Sequence, residues 1–228
     1  MIGIYDSGSG GLTALCELRK HAKNADILYR GDLKHAPYGT KTREVLLPIL
    51  KENLNHLKAL GCEYILVACM TASSLIPFLP EEEKQDVYPI LHYVCERAIS
   101  LTKTGRIGIV STSRTMKEGA MRDLFIARGI EITQTEADAL VPLAEQGQTD
   151  PRHPSVKEAV ERATKLHRQA DIDTLILGCT HFPYFTKAFR QAMGNKVHLI
   201  PSGEVGACGF LKQIPKDVLK GQGHIHFI

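Results

Sequence analysis

The chain has 228 residues, 43% of them hydrophobic and 23% charged, and a net charge of +3 with the histidines neutral. That composition excludes a disordered or fibrous chain and gives enough length to bury a core in one domain or two small ones. There is no apolar run of about 18 residues, no basic n-region or cleavage site at the N-terminus, and no basic cluster or tryptophan. No membrane span, signal peptide or direct nucleic-acid partner is therefore expected, and the setting reads as cytoplasmic.

In chain order the hydrophobic pattern predicts a strand at Ile2–Tyr5, a helix at Leu12–His21, a strand at Asp26–Arg30, a helix at Thr42–Leu60 and strands at Tyr64–Ala68 and Val87–Leu91. A helix at Val94–Thr102, a strand at Arg106–Val110, a helix at Thr115–Ala127 and a strand at Glu131–Gln134 follow. The last elements are a helix at Pro154–Gln169, a strand at Thr174–Gly178, a helix at Phe182–Met193, a strand at Lys196–Ile200 and a helix at Glu204–Lys212. Strands alternating with helices of this length imply βαβ units and parallel sheets covered on both faces.

The two halves echo each other. Ile2-Gly3-Ile4-Tyr5-Asp6-Ser7-Gly8 resembles Ile107-Gly108-Ile109-Val110-Ser111-Thr112-Ser113, and Ile65-Leu66-Val67-Ala68-Cys69-Met70-Thr71 resembles Leu175-Ile176-Leu177-Gly178-Cys179-Thr180-His181. The offsets, 105 residues (2 to 107) and 110 residues (65 to 175), are nearly constant. The expected fold is α/β, with two pseudosymmetric lobes, each a mostly parallel sheet flanked by helices, and a site in the cleft between them. Residues 1–93 plus 201–228 are expected to form the first lobe and 94–200 the second.

Ligands of open parallel sheets bind outside the carboxyl ends of the strands. Four apolar strands end there in polar turns: Asp6-Ser7-Gly8, Cys69-Met70-Thr71, Ser111-Thr112-Ser113 and Cys179-Thr180-His181. Cys69 and Cys179 come from equivalent places in the two halves and are expected to flank one cleft from opposite sides. That placement suits stereocentre inversion, in which a thiolate removes a proton on one face and a thiol delivers one to the other. A helix following each cysteine is expected to favour its thiolate. Cys16, Cys62, Cys95 and Cys208 read instead as small buried hydrophobes. No Cys/His spacing fits a zinc site. Asp6-Ser7-Gly8-Ser9-Gly10-Gly11 lacks the spacing of a nucleotide loop and better suits backbone contacts to an anionic ligand.

Taken with Pro37-Tyr38-Gly39, Ala68-Cys69-Met70-Thr71-Ala72-Ser73, Val141-Pro142-Leu143-Ala144-Glu145-Gln146-Gly147 and Leu177-Gly178-Cys179-Thr180-His181-Phe182-Pro183, the chain resembles the glutamate racemases of the cofactor-independent aspartate/glutamate racemase superfamily. The resemblance runs in order over about residues 1–210. It implies L/D-glutamate interconversion with no cofactor and no metal. Cys69 is implied to act on the D-enantiomer and Cys179 on the L-enantiomer, with Asp6 assisting Cys69, and His181 and Glu145 assisting Cys179. Ser7, Pro37, Tyr38, Gly39, Thr71 and Thr180, with position 70, are implied to hold the amino-acid substrate. A homodimer supplying D-glutamate for peptidoglycan and cell shape is also implied, and DNA gyrase is a partner by family analogy alone.

Taken singly, several of these residues suit plainer roles. His181 fits a helix cap, Asp6 a turn, Glu145 a solvated charge and Tyr38 a turn aromatic. The remaining nine histidines read as surface residues. Two positions depart from the family: Met70 stands where an Asn is usual, and Pro201 where an Asp is usual before Ser-Gly. A thioether cannot replace an amide's donors. The alternatives are therefore a racemase with altered substrate preference or a weak binding or regulatory paralogue.

Overall fold

The alternating strand and helix signals produce two separate parallel sheets. The structure, a computed structural model, describes residues 1–228. Its first part contains β1 (Ile2–Asp6), α1 (Leu12–His21), β2 (Ile27–Gly31), α2 (Arg43–Ala59), β3 (Tyr64–Val67), the short α3 (Met70–Ser73) and α4 (Glu81–Lys84), β4 (Val87–Pro89) and α5 (Ile90–Leu101). There follow β5 (Arg106–Ser111), α6 (Ser113–Glu118), α7 (Ala120–Ile126), β6 (Glu131–Glu136), α8 (Leu140–Glu145) and α9 (Pro154–Gln169). The chain ends with β7 (Thr174–Gly178), α10 (Thr186–Met193), β8 (His198–Pro201), α11 (Ser202–Leu211) and β9 (Ile225–Phe227). No helix is long and apolar enough to cross a membrane.

One sheet has the order β4-β3-β1-β2-β9 and the other β6-β5-β7-β8. Read from its opposite edge, the second is β8-β7-β5-β6, the same arrangement as β4-β3-β1-β2. The internal repeat is therefore real at the level of topology, and β9, paired in parallel with β2, is the one addition. Each strand divides its residues between two faces, because successive side chains alternate. Ile2 and Ile4 of β1, Ile107 and Ile109 of β5 and Ile176 of β7 point into one core shared by both sheets, together with Ile90 and Val94 of α5, Leu18 of α1 and Phe210 of α11. Tyr5, Ile65 and Val67 face a second core under α2. Val110, Leu175 and Leu177 face a third, under α9 and α10. The lobes thus share their inner core and cannot pack as independent units.

Several expectations are corrected. The helix expected at Thr115–Ala127 is two helices, because Gly119 takes the left-handed φ of +73° and ends α6. The strand from Val87 stops at Pro89, which starts α5. Phe182–Phe185 is a tighter 3₁₀ turn before α10. Cys16 is exposed and Cys208 half-buried, against the expectation of burial. In α1 the inward stripe is Ala14, Leu15 and Leu18, and Cys16 lies on the other side of the helix. His167 is fully buried, not on the surface. It continues the stripe Val156, Val160, Ala163 and Thr164 of α9, a helical spacing that outranks its residue type.

Candidate active site

The carboxyl ends of the central strands of both sheets open onto one cavity of about 580 Å³. Ser7, Pro37, Tyr38, Gly39, Cys69, Met70, Thr71, Glu145, Cys179, Thr180 and His181 all line it. Asp6, the last residue of β1, is fully buried and is not among the lining residues. Parallel register explains the convergence: Tyr5 pairs with Val67, so the loop after β1 lies beside the loop that begins at Ala68 and Cys69.

On one side Cys179 follows β7. Its Sγ is 3.7 Å from His181 Nδ1, and His181 Nε2 is 2.5 Å from Glu145 Oε1, which also accepts from Ser9 Oγ at 3.0 Å. Because the carboxylate can only accept, His181 Nε2 carries a proton and the lone pair of the neutral ring sits on Nδ1, facing the thiol. Burial works to raise the Glu145 carboxyl, but the hydrogen bonds from His181 and Ser9 outweigh it and hold it below the usual range. Glu145 is therefore neither a free surface charge nor isolated, and His181 does more than cap a turn.

On the other side Cys69 follows β3 and caps α3. Its Sγ accepts from the Ala72 N–H at 3.5 Å and lies 3.4 Å from Ser7 Oγ, to which the thiol donates. Asp6 Oδ2 accepts from the Gly8 N–H at 2.9 Å, whereas Oδ1 is buried without a partner. Burial raises the Asp6 carboxyl, opposed by His181 and by the Gly8 and Gly11 N–H groups. A buried carboxylate oxygen with spare acceptor capacity, next in sequence to the Ser7 hydroxyl that meets the thiol, is suited to hold a proton.

Both thiols sit higher than the sequence implied. Burial, with the Asp6 charge next, pushes Cys69 up to about 11, and burial pushes Cys179 up as well. The helix expected after each cysteine does not decide the matter. After Cys69 it is only four residues long, and Cys179 precedes a 3₁₀ turn. Loss of water around the charged form outweighs so short a dipole.

The walls include groups that the motifs did not single out as site residues. Thr112 lines the cavity, and its hydroxyl forms a ring with those of Thr71 and Thr115, at 2.9–3.2 Å, that joins the loops after β3 and β5. The Tyr38 hydroxyl bonds that of Tyr5 and donates to Asp32 at 2.5 Å, so Tyr38 is a buried, anchored wall rather than a plain turn aromatic. Asp138, after β6, also lines the cavity. Only Thr112 had a signal in the sequence, its place at the end of an apolar strand. Met70 is buried in the shared core and contributes a thioether wall with no polar contact. Gly10 sits where a β-carbon would be 2.4 Å from Thr180 Oγ1 and 2.8 Å from His181 Nδ1, so only glycine permits this approach.

Away from the cavity, Glu17 and His21 of α1 and Cys208 of α11 bring three possible metal-ligand atoms within 4.8 Å of one another. Glu17 there already binds Lys20 and His21. Glu17 and His21 are four residues apart on α1, but Cys208 comes from α11, so no sequence spacing marks the trio.

The Asp/Glu/Hydantoin racemase family profile matches residues 19–208. A protein of Persephonella marina named glutamate racemase is 36% identical over 226 residues, covering 97% of this chain and 85% of its own. One from Aquifex aeolicus, also named glutamate racemase, is 34% identical over 225 residues, covering 97% and 84%. The crystal structure of a glutamate racemase isoform from Bacillus anthracis superposes with a TM-score of 0.91 at 28% identity, covering 100% of this chain and 86% of that one. The chain belongs to the Asp/Glu/hydantoin racemase family, among its glutamate racemases.

Proposed function

We propose that the protein interconverts L- and D-glutamate by a two-thiol mechanism that needs no cofactor, with the lobes running 1–93 plus 201–228 and 94–200. The observation that carries this reading is the pair of buried thiols at repeat-equivalent strand ends on one cavity, with His181 against Cys179 and Ser7, the neighbour of the buried Asp6, against Cys69.

For L-glutamate, His181 Nδ1 takes the Cys179 thiol proton as the thiolate attacks, and Glu145 balances the imidazolium. The Cys179 thiolate removes the α-proton, and the C–H bonding pair passes into the substrate as a carbanion stabilised through its carboxylate. The Cys69 thiol delivers its proton to the opposite face. Cys69 is left as a thiolate; His181 releases its proton to solvent and Cys69 takes one from solvent through Asp6, which restores both thiols and the neutral imidazole. For D-glutamate the roles reverse. The hydroxyls of Ser7, Thr71 and Thr180 and the backbone of Pro37-Tyr38-Gly39 hold the substrate carboxylates and ammonium. High resting thiol pKa values agree with this scheme, because each thiol must donate in one direction.

The naming of relatives as glutamate racemases and the retention of both thiols favour an enzyme over a binding paralogue. The same resemblance supports a cytoplasmic homodimer that supplies D-glutamate for peptidoglycan. The test is incubation with L- or D-glutamate in D₂O, followed by NMR of the α-proton. Loss of the signal from both enantiomers, with appearance of the other enantiomer, is expected. No exchange with either rejects the activity.

A further inference from the structure

Arg43 and Glu118 each stand at the unfavourable end of their own helix. Arg43 opens α2, where the positive end of the helix dipole disfavours a cation, and Glu118 closes α6, where the negative end disfavours an anion. Each is compensated by the other. Arg43 Nε and Nη2 lie 2.8 and 2.7 Å from Glu118 Oε2, and the Glu118 side chain is only 1% exposed. Arg114 Nε stands 3.2 Å from the other oxygen without making a hydrogen bond, so it supplies charge alone. The Arg43 guanidinium also lies 3.7 Å above the Phe78 ring.

This is the one ion pair that joins residues 1–93 plus 201–228 to residues 94–200. On one side it follows the lining turn Pro37-Tyr38-Gly39 closely, with only Thr40, Lys41 and Thr42 between Gly39 and Arg43. On the other, α6 starts after Thr112, which lines the cavity, and carries Glu118 about 9 Å further along its axis. The Tyr38 hydroxyl ties the turn to its own sheet through Asp32, at 2.5 Å. Its other link to α6 is Ser113 Oγ, which donates to the Gly39 carbonyl at 3.4 Å, long for a hydroxyl. The pair at Arg43 is shorter and charge-assisted, and so the stronger of the two.

We propose that Arg43 and Glu118 are positioning residues: their buried pair moors the Pro37-Tyr38-Gly39 turn to α6 and fixes the spacing between two walls of the cavity. The inference rests on the racemase reading above in taking that turn as a holder of substrate. Neither residue lines the cavity, so both act through the turn and through Thr112.

The test is alkylation by iodoacetamide, read by peptide mass spectrometry, of the wild type, Arg43→Ala, Arg43→Lys and Glu118→Gln. Cys69 and Cys179 report the cavity, the exposed Cys16 is the internal standard, and Cys95, fully buried in the shared core, reports general loosening. Relative to Cys16, Cys69 and Cys179 are expected to react about tenfold faster in Arg43→Ala and Glu118→Gln, with Cys95 unchanged and Arg43→Lys in between. In racemisation assays KM for both enantiomers is expected to rise about tenfold with kcat nearly unchanged, because a loosened turn gives up binding shared by the ground and transition states. Unchanged Cys69 and Cys179 rates in both charge-removing variants overturn the assignment, as does an unchanged KM. Equal acceleration of Cys95 also overturns it, since that marks a contribution to stability alone. Wild-type protein that exchanges no α-proton overturns the racemase reading itself, and the alkylation rates then still judge the mooring without any substrate.

Discussion

The two sides of the cleft have the same architecture and different proton chemistry. Cys69 and Cys179 leave equivalent strands of equivalently ordered sheets, yet one faces Ser7 beside a buried aspartate and the other faces a histidine backed by a glutamate. The repeat fixes where the thiols stand. The loops, which do not repeat, fix what each thiol exchanges protons with. A racemase reading requires that combination, because the two faces of a planar intermediate are geometrically alike while the two substrates are not.

Removing either thiol is the strongest test of that comparison. Cys69→Ala and Cys179→Ala are each expected to lower racemisation by about 10²–10⁴-fold, the usual contribution of a positioned acid or base. Cys69→Ala should still exchange the α-proton of L-glutamate in D₂O, and Cys179→Ala that of D-glutamate. Equal exchange of both enantiomers by both variants would mean that the sides are not specialised.

Gly10→Ala probes the contact between the sides. The added methyl group meets Thr180 and His181 well inside contact distance, so the Cys179 side must shift while the Ser7–Cys69 side keeps its own bonds. Turnover should drop by about 10²-fold, as expected for a displacement of about 1 Å in a catalytic group. Steady-state kinetics at a protein concentration checked by circular dichroism measures it.

The lobes also differ away from the cleft. Only the second buries a free-standing histidine. Thr135 donates its hydroxyl to the Ala163 carbonyl, so His167 Nε2–H donates to Thr135 and Nδ1 is left buried without a partner. Burial lowers His167 to about 4. Between that value and the ordinary one, near 6.5, the unfolded chain binds more protons than the folded one. Stability is therefore complete above about pH 6.5 and is lost as pH falls towards 4, by about 2 kcal/mol at pH 5. Urea unfolding at pH 7 and pH 5 should show the loss, and His167→Gln should remove most of it. An identical pH dependence in the variant would place the acid sensitivity elsewhere.

The smallest expected effect is that of Glu145→Gln. The amide can still accept from His181 but carries no charge to balance an imidazolium. L-Glutamate exchange should slow about tenfold, with D-glutamate exchange affected less. Equal slowing of both would indicate that Glu145 serves the whole cleft rather than the Cys179 side.

Much of this was legible in the sequence because it rests on local rules. Continuous apolar runs such as Ile65-Leu66-Val67 and Leu175-Ile176-Leu177 mark buried parallel strands, and both became central-sheet strands. The two cysteine motifs stand at strand ends, where an α/β fold places its ligands. Short-range patterns failed where one residue carries an unusual backbone or an unexpected partner. Gly119 split a helix whose apolar spacing is continuous, and the buried stripe of α9 captured His167 despite its polarity.

By itself the sequence determined the strand and helix order, the two-lobed repeat and the pair of thiols, because hydrophobic period and strand-end position are properties of neighbouring residues. Only the tertiary structure decided the protonation of the site. Asp6 is stripped of water by packing, Glu145 reaches His181 from the end of α8, and Asp138 meets the cavity from a loop with no motif of its own. Desolvation and pairing depend on atoms brought together from distant parts of the chain, so no spacing along the sequence encodes them.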